Sequence, residues 1–191
     1  NLKLTAKGTG FFKSGIDLQY LYNNKTKTSV AGKNKTTSSL TTDFFQKYLF
    51  IRSTEAFKNH LKDLGIANQV RLSRADGRVC FAIGEASREK LTPQIWIDQD
   101  EFILRKIRLP SEVEIELSDV YPAGKDLFIA KTQTINWAGI QVVIKVKSVT
   151  TKTGVTLSSF YPQNLEHPSE MTFANKSTLT EAIDQFYKRF R

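Results

Sequence analysis

Apolar and polar residues alternate at Leu2, Leu4 and Ala6, and again at Ile16, Leu18, Tyr20 and Tyr22, which is the period of half-buried β-strands. Thr26 to Thr37 keeps a β-compatible but polar character around Val30 and predicts one exposed strand that runs into a loop at Thr36, Thr37, Ser38 and Ser39. The period then lengthens. Phe44, Phe45, Tyr48 and Leu49 fall at helical spacing, with Asp43 placed as an N-cap and Gln46 as its reciprocal partner. A second helix starts at Ser53 or Thr54, aligns Phe57, Leu61 and Leu64 on one side, and stops at Gly65.

Strand signals resume after Gly65, at Val70 and Leu72; Val79, Phe81 and Ile83; Ile95 and Ile97; Phe102 to Leu109; Val113, Ile115 and Leu117; Leu127 to Thr134; and Ile140 to Val146. Turn residues separate them at Asp76-Gly77, Asp98 to Asp100, Pro110-Ser111, Tyr121 to Gly124 and Ala138-Gly139, so an antiparallel meander is expected. Glu112, Glu114 and Glu116 alternate with apolar neighbours, as do Gln141, Lys145 and Lys147, which gives the sheet one wet face. A last helix is predicted behind a Thr178–Glu181 capping box, with an apolar stripe of Leu179, Ala182, Ile183, Phe186 and Phe190. The pattern as a whole predicts an α+β fold, a strongly curved antiparallel sheet with helices covering its concave face.

The chain has 191 residues, 40% hydrophobic and 25% charged, a size and mixture that fit a single domain over 1–191. No apolar run approaches the roughly 18 residues that cross a bilayer. Its net charge of +9 is concentrated: residues 1–40 carry seven lysines, one acid and no arginine. Such a segment attracts anionic surfaces, and it also keeps exposed strands soluble.

Catalytic chemistry is sparse. His60 sits among helix residues and His167 in a loop, neither at a metal-ligand spacing. Cys80, the single cysteine, lies between Val79 and Phe81, where a buried and inert thiol is expected. Asp98, Asp100 and Glu101 begin like a calcium loop, but the positions that need glycine and glutamate hold Ile103 and Leu109, so a hairpin turn is the better reading. No glycine-rich phosphate loop and no nucleophile elbow occurs. No catalytic residue, metal or cofactor is expected.

Several strings from Phe50 to Val149 resemble the LolA/LolB-like family, the bacterial periplasmic lipoprotein carriers and their outer-membrane lipoprotein-sorting relatives. They are Ser53-Thr54-Glu55-Ala56-Phe57 through Leu64-Gly65-Ile66, Leu72-Ser73-Arg74-Ala75-Asp76-Gly77-Arg78-Val79 leading to Ile83-Gly84, and Pro93-Gln94-Ile95-Trp96-Ile97-Asp98 followed by Phe102. The resemblance implies an unclosed half-barrel plugged by helices, an apolar cavity between them, a periplasmic location and no catalysis. The family's leading amphipathic helix is expected to be absent, since the chain opens on the strand-like Leu2 to Ala6.

The expected function is non-catalytic binding of a lipid, a lipoprotein acyl chain or another apolar ligand, in envelope lipid or lipoprotein transport. Transient contact with a membrane surface or envelope proteins, and no nucleic acid, complete the expected partners. The ligand-binding candidates are the inward strand positions Leu18, Tyr20, Phe81, Ile95, Ile97, Ile115, Val142 and Ile144. The alternative is a filled structural or interaction module whose basic N-terminal face docks to an anionic partner, with Phe11 and Phe12 beside Lys13 as stacking support.

Overall fold

The computed structural model describes residues 2–9, 15–23, 25–31, 34–41, 43–45, 51, 53–87, 90–124, 127–149, 154, 156–165, 170–171, 173 and 177–190. The expected helix beyond Phe45, the Phe11 to Lys13 cluster and His167 lie outside the described residues. The chain divides into two compact units, residues 1–51 with 154–191, and residues 52–153.

The first unit holds β1 (Leu2–Lys7), β2 (Ile16–Tyr22), β3 (Thr26–Ala31) and β4 (Asn34–Ser39) in sequential antiparallel order. The single exposed strand expected from Thr26 is instead a hairpin, because Thr28, Lys27 and Thr26 pair with Thr37, Ser38 and Ser39. Partner strands turn this polar run into β-structure without any alternation of its own. Strand β2 is buried on both faces. Leu18, Tyr20 and Tyr22 pack with Phe44, Ile183 and Tyr187 on one side, and Leu21 packs with Val30, Phe160 and Leu165 on the other.

The second unit begins with α1 (Thr54–Asp63), where Ser53 caps the start by accepting from the Ala56 N–H at 3.1 Å. Its end is a Schellman turn, with Ile66 N–H to Leu61 O and Gly65 N–H to Lys62 O, each at 2.9 Å. Gly65 takes φ 66°, the conformation that favours glycine at this place. Phe57 and Leu61 are half-buried and Leu64 is buried.

Seven strands follow as an unclosed antiparallel meander: β5 (Val70–Ala75), β6 (Arg78–Ile83), β7 (Gln94–Asp98), β8 (Leu104–Arg108), β9 (Glu114–Gly124), β10 (Leu127–Trp137) and β11 (Ile140–Lys145). Two departures from expectation stand out. Tyr121 to Gly124 continue β9 rather than turning, and Phe102 lies ahead of β8 in the turn, at φ 54°. The short β12 (Glu170–Met171) then pairs with β2 in the first unit, and α2 (Thr178–Phe190) closes the fold.

The α2 cap differs from expectation by one residue. Ser177 Oγ accepts from the Thr180 N–H at 3.2 Å, while Thr180 Oγ1 accepts from the Ser177 N–H at 2.8 Å. This capping box is Ser177–Thr180, and Thr178 is already helical. No described helix is long and apolar enough to cross a membrane.

Candidate functional site

Cross-strand partners in an antiparallel sheet share a face, so the register sorts every side chain of the meander. Ile83 pairs with Ile95, Ile95 with Ile107, Ile107 with Ile115, Ile115 with Ile135, and Ile135 with Val142. Ile97 lies two residues from Ile95 and pairs with Phe81, which pairs with Leu72; Ile144 lies two residues from Val142. Phe81, Ile95, Ile97, Ile115, Val142 and Ile144, six of the eight candidates, therefore lie on one apolar face.

Cover over that face is uneven. Ile95, Ile107, Ile115 and Ile135 are sealed from solvent, whereas Val142 and Ile144 are half-buried. Toward the β5 edge the face opens, with Val70 60%, Leu72 64% and Phe102 74% exposed. The Phe102 ring stacks on Phe81 with centroids 6.3 Å apart, so the turn residue extends the apolar surface. Phe102 was not among the sequence candidates, since the strand expected from it to Leu109 gave no sign of the positive φ that turns it.

Leu18 and Tyr20 belong to the other unit, in a core closed by Ile183 and Tyr187 of α2. Tyr20 is held out of water beneath that helix. Burial, followed by the nearby Tyr187 and Asp184, pushes its hydroxyl up to about 12. Lys27 Nζ stands 3.9 Å from the centre of the Tyr20 ring, and burial pulls this amine down to about 8.

The opposite face of the meander is polar and tied by charge. Lys106 Nζ reaches Glu114 at 2.9 Å and Glu116 at 3.1 Å, and Arg108 Nε reaches Glu114 at 2.6 Å. Both cations flank the Trp96 ring, whose Nε1 donates to Ser73 Oγ at 3.3 Å. Cys80 is packed with Ala82 and Trp96, and burial raises its pKa, so it is a poor thiolate. Asp98 serves the turn after β7 by accepting the Asp100 and Glu101 N–H groups, each at 3.0 Å. Among the described residues no three His, Cys, Asp or Glu side chains are grouped to hold a metal ion.

A pocket of about 240 Å³ is lined by Gly65, Ala67, Glu85, Lys90, Leu91, Thr92 and Pro93. It is smaller than the roughly 300–1,000 Å³ of sites that enclose a drug-sized ligand. Gly84 holds the neighbouring loop at φ 124°, where a Cβ would meet Pro93 O at 2.6 Å. Thr92 Oγ1 and Gln94 Nε2 both donate to Glu85 O and close this loop on itself.

No family model matches the sequence, and no curated protein is similar to it in sequence. In fold, the chain is similar to a crystal structure from Vibrio parahaemolyticus described as an outer membrane lipoprotein-sorting protein domain. The two share 10% identity with a TM-score of 0.53, over 82% of this chain and 74% of that one. The likeness at this identity is one of fold: unclosed antiparallel sheets with a few helices.

Proposed function

We propose that this chain binds an acyl chain, a lipid or another apolar ligand without catalysing a reaction, as part of lipid or lipoprotein transport in the bacterial envelope. The observation that supports this best is the single apolar face of the meander, sealed over Ile95, Ile107, Ile115 and Ile135 and open at Leu72 and Val70. The reading takes helices to cover the concave side of that sheet and leave an oily hollow. Phe81, Ile95, Ile97, Ile115, Val142 and Ile144 would meet the ligand there. Burying one methylene is worth about 0.8 kcal/mol, so a long acyl chain gains roughly 10 kcal/mol before its ordering cost. The Vibrio domain's described role in lipoprotein sorting supports the same ligand class, lipoprotein acyl chains, and a periplasmic setting.

Native mass spectrometry of protein purified from its own host, followed by lipid extraction, tests the proposal. A co-purifying acyl species is the expected result. A clean apo mass, together with no uptake of fluorescent fatty acids, would overturn it.

One observation favours a second reading for the first unit: Leu18 and Tyr20 are packed by the protein's own α2. That unit would then be a filled module whose basic strands, with Lys25 and Lys35 exposed, meet an anionic surface. Binding of anionic vesicles that falls steeply with added salt, and is lost when these two lysines are changed to glutamate, would separate it from the first.

A further inference from the structure

Strand β5 ends the seven-stranded sheet, and among the described residues it pairs with β6 alone. Its free backbone groups can be assigned. Gly84 N–H donates to Gln69 O at 2.9 Å, and hydrogen-bonded and non-bonded pairs alternate along an antiparallel ladder. Arg71–Ala82, Ser73–Cys80 and Ala75–Arg78 are therefore bonded pairs. The N–H and C=O groups of Val70, Leu72 and Arg74 face away from β6, toward the open edge.

The same three residues carry exposed side chains, two of them apolar. Proteins usually blunt such an edge with proline, a bulge or a covering segment. Here the register with β6 runs without a shift over all six residues, and β5 contains no proline.

Charge indicates what fits. Arg78 is engaged by Asp98 and Glu101, at 3.5 and 3.6 Å. Arg71 and Arg74 form no ion pair among the described residues; Arg71 Nη2 bonds Gln94 Oε1 at 2.8 Å, and its buried Nε has no hydrogen-bond partner. Strand β5 is thus an edge with two cations and no acid. Two copies of it would bring four arginines together, and like charges across a strand pair are destabilising. We infer that β5 is a docking edge for an extended segment of a partner protein in which acidic residues alternate with apolar ones, added as an eighth strand. Backbone bonds to residues 70, 72 and 74 supply the pairing, Val70 and Leu72 take the apolar side chains on one face, and Arg71, on the other face, selects carboxylates. The inference goes beyond the acyl-chain reading and does not depend on it.

The test uses the full chain and fluorescein-labelled peptides of about ten residues: alternating Glu-Val, alternating Lys-Val, and Glu-Val interrupted by two prolines. Anisotropy reads binding, and amide hydrogen exchange locates it. The Glu-Val peptide should bind at least roughly tenfold more tightly than either control and slow exchange at Val70, Leu72 and Arg74. Arg71→Gln, which removes the cation from the face that meets the carboxylates, should weaken that peptide by roughly tenfold or more, while Arg74→Gln, on the apolar face, should change it little. Leu72→Pro removes an outward N–H that β6 does not use, and should abolish binding with far-ultraviolet dichroism unchanged. Equal binding of all three peptides, protection elsewhere in the chain, indifference to Arg71→Gln, or concentration-dependent dimers that Leu72→Pro dissolves would each overturn the inference.

Discussion

Arg105 donates from Nε to Asp98 Oδ2 at 3.2 Å, with the two side chains only 4% and 1% exposed. Arg105 falls at the register shift between β7 and β8, where Trp96 pairs with Lys106 and Ile97 with Leu104, so the extra residue brings its guanidinium to Asp98. Burial by itself would raise the carboxyl pKa. The Glu101 and Asp100 amides and Arg105 reverse that and hold it below its ordinary value.

A carboxyl depressed in the fold contributes stability that is complete above its unfolded pKa, near 3.9, and is lost as pH falls through the folded value. Asp98→Asn leaves Arg105 buried without its counter-charge and should cost about 3 kcal/mol at pH 7 in urea unfolding. Below about pH 4 the variant should lose less stability than the parent. Parallel acid limbs for the two proteins would contradict this account of Asp98.

The apolar face should answer unevenly to substitution. Ile107→Ala opens a cavity at a sealed position and should cost about 2–5 kcal/mol. Leu72→Ser, at 64% exposure, should stay within about 0.5 kcal/mol of the parent. Chemical denaturation of the two variants measures both, and a reversed order would mean that the cover lies over β5 instead.

Lys27 is held where burial lowers it from 10.5 to about 8, although the Tyr20 ring below it favours the cation. An amine depressed in the fold is a cost while it stays protonated, below about pH 8, and that cost is relieved as pH rises from there toward the unfolded value of 10.5. Stability relative to a Lys27→Met variant should therefore rise across that interval. Carbon-13 reductive methylation should show one lysine titrating near 8. A flat difference curve would contradict the burial.

Ser177→Ala should cost about 1 kcal/mol in thermal unfolding, the usual value of an N-cap hydroxyl, and Thr178→Ala much less. Equal effects would place the helix start elsewhere.

Much of the meander was legible in the sequence because two of its turns end on a glycine, the residue that accepts positive φ most readily. Asp76-Gly77 and Ala138-Gly139 occupy 50° and 72°, and 46° and 77°, and join strands in which a large apolar residue recurs at every second position. The one-face placement of Phe81, Ile95, Ile97, Ile115, Val142 and Ile144 followed from the same alternation. What alternation cannot give is the element lying on a face. Leu18 and Tyr20 read like the other six, yet α2, from the far end of the chain, packs on them.

Strand β4 was missed for a related reason, since Asn34–Ser39 owes its conformation to pairing with β3 and not to its own pattern. The α2 cap was ambiguous because Ser177 and Thr178 each precede an acceptor three residues on, Thr180 and Glu181. The Asp98–Arg105 pair depends on a register shift that leaves no mark in the sequence.

Paramagnetic relaxation from a doxyl-labelled stearate, read on the methyl groups of the full chain, tests the central claim most directly. Methyls of Ile97, Ile115, Val142 and Ile144 should broaden, while Val143, 46% exposed on the opposite face, stays sharp. Broadening of Val143 equal to that of Val142, or none at any of the four, would contradict acyl binding on the apolar face.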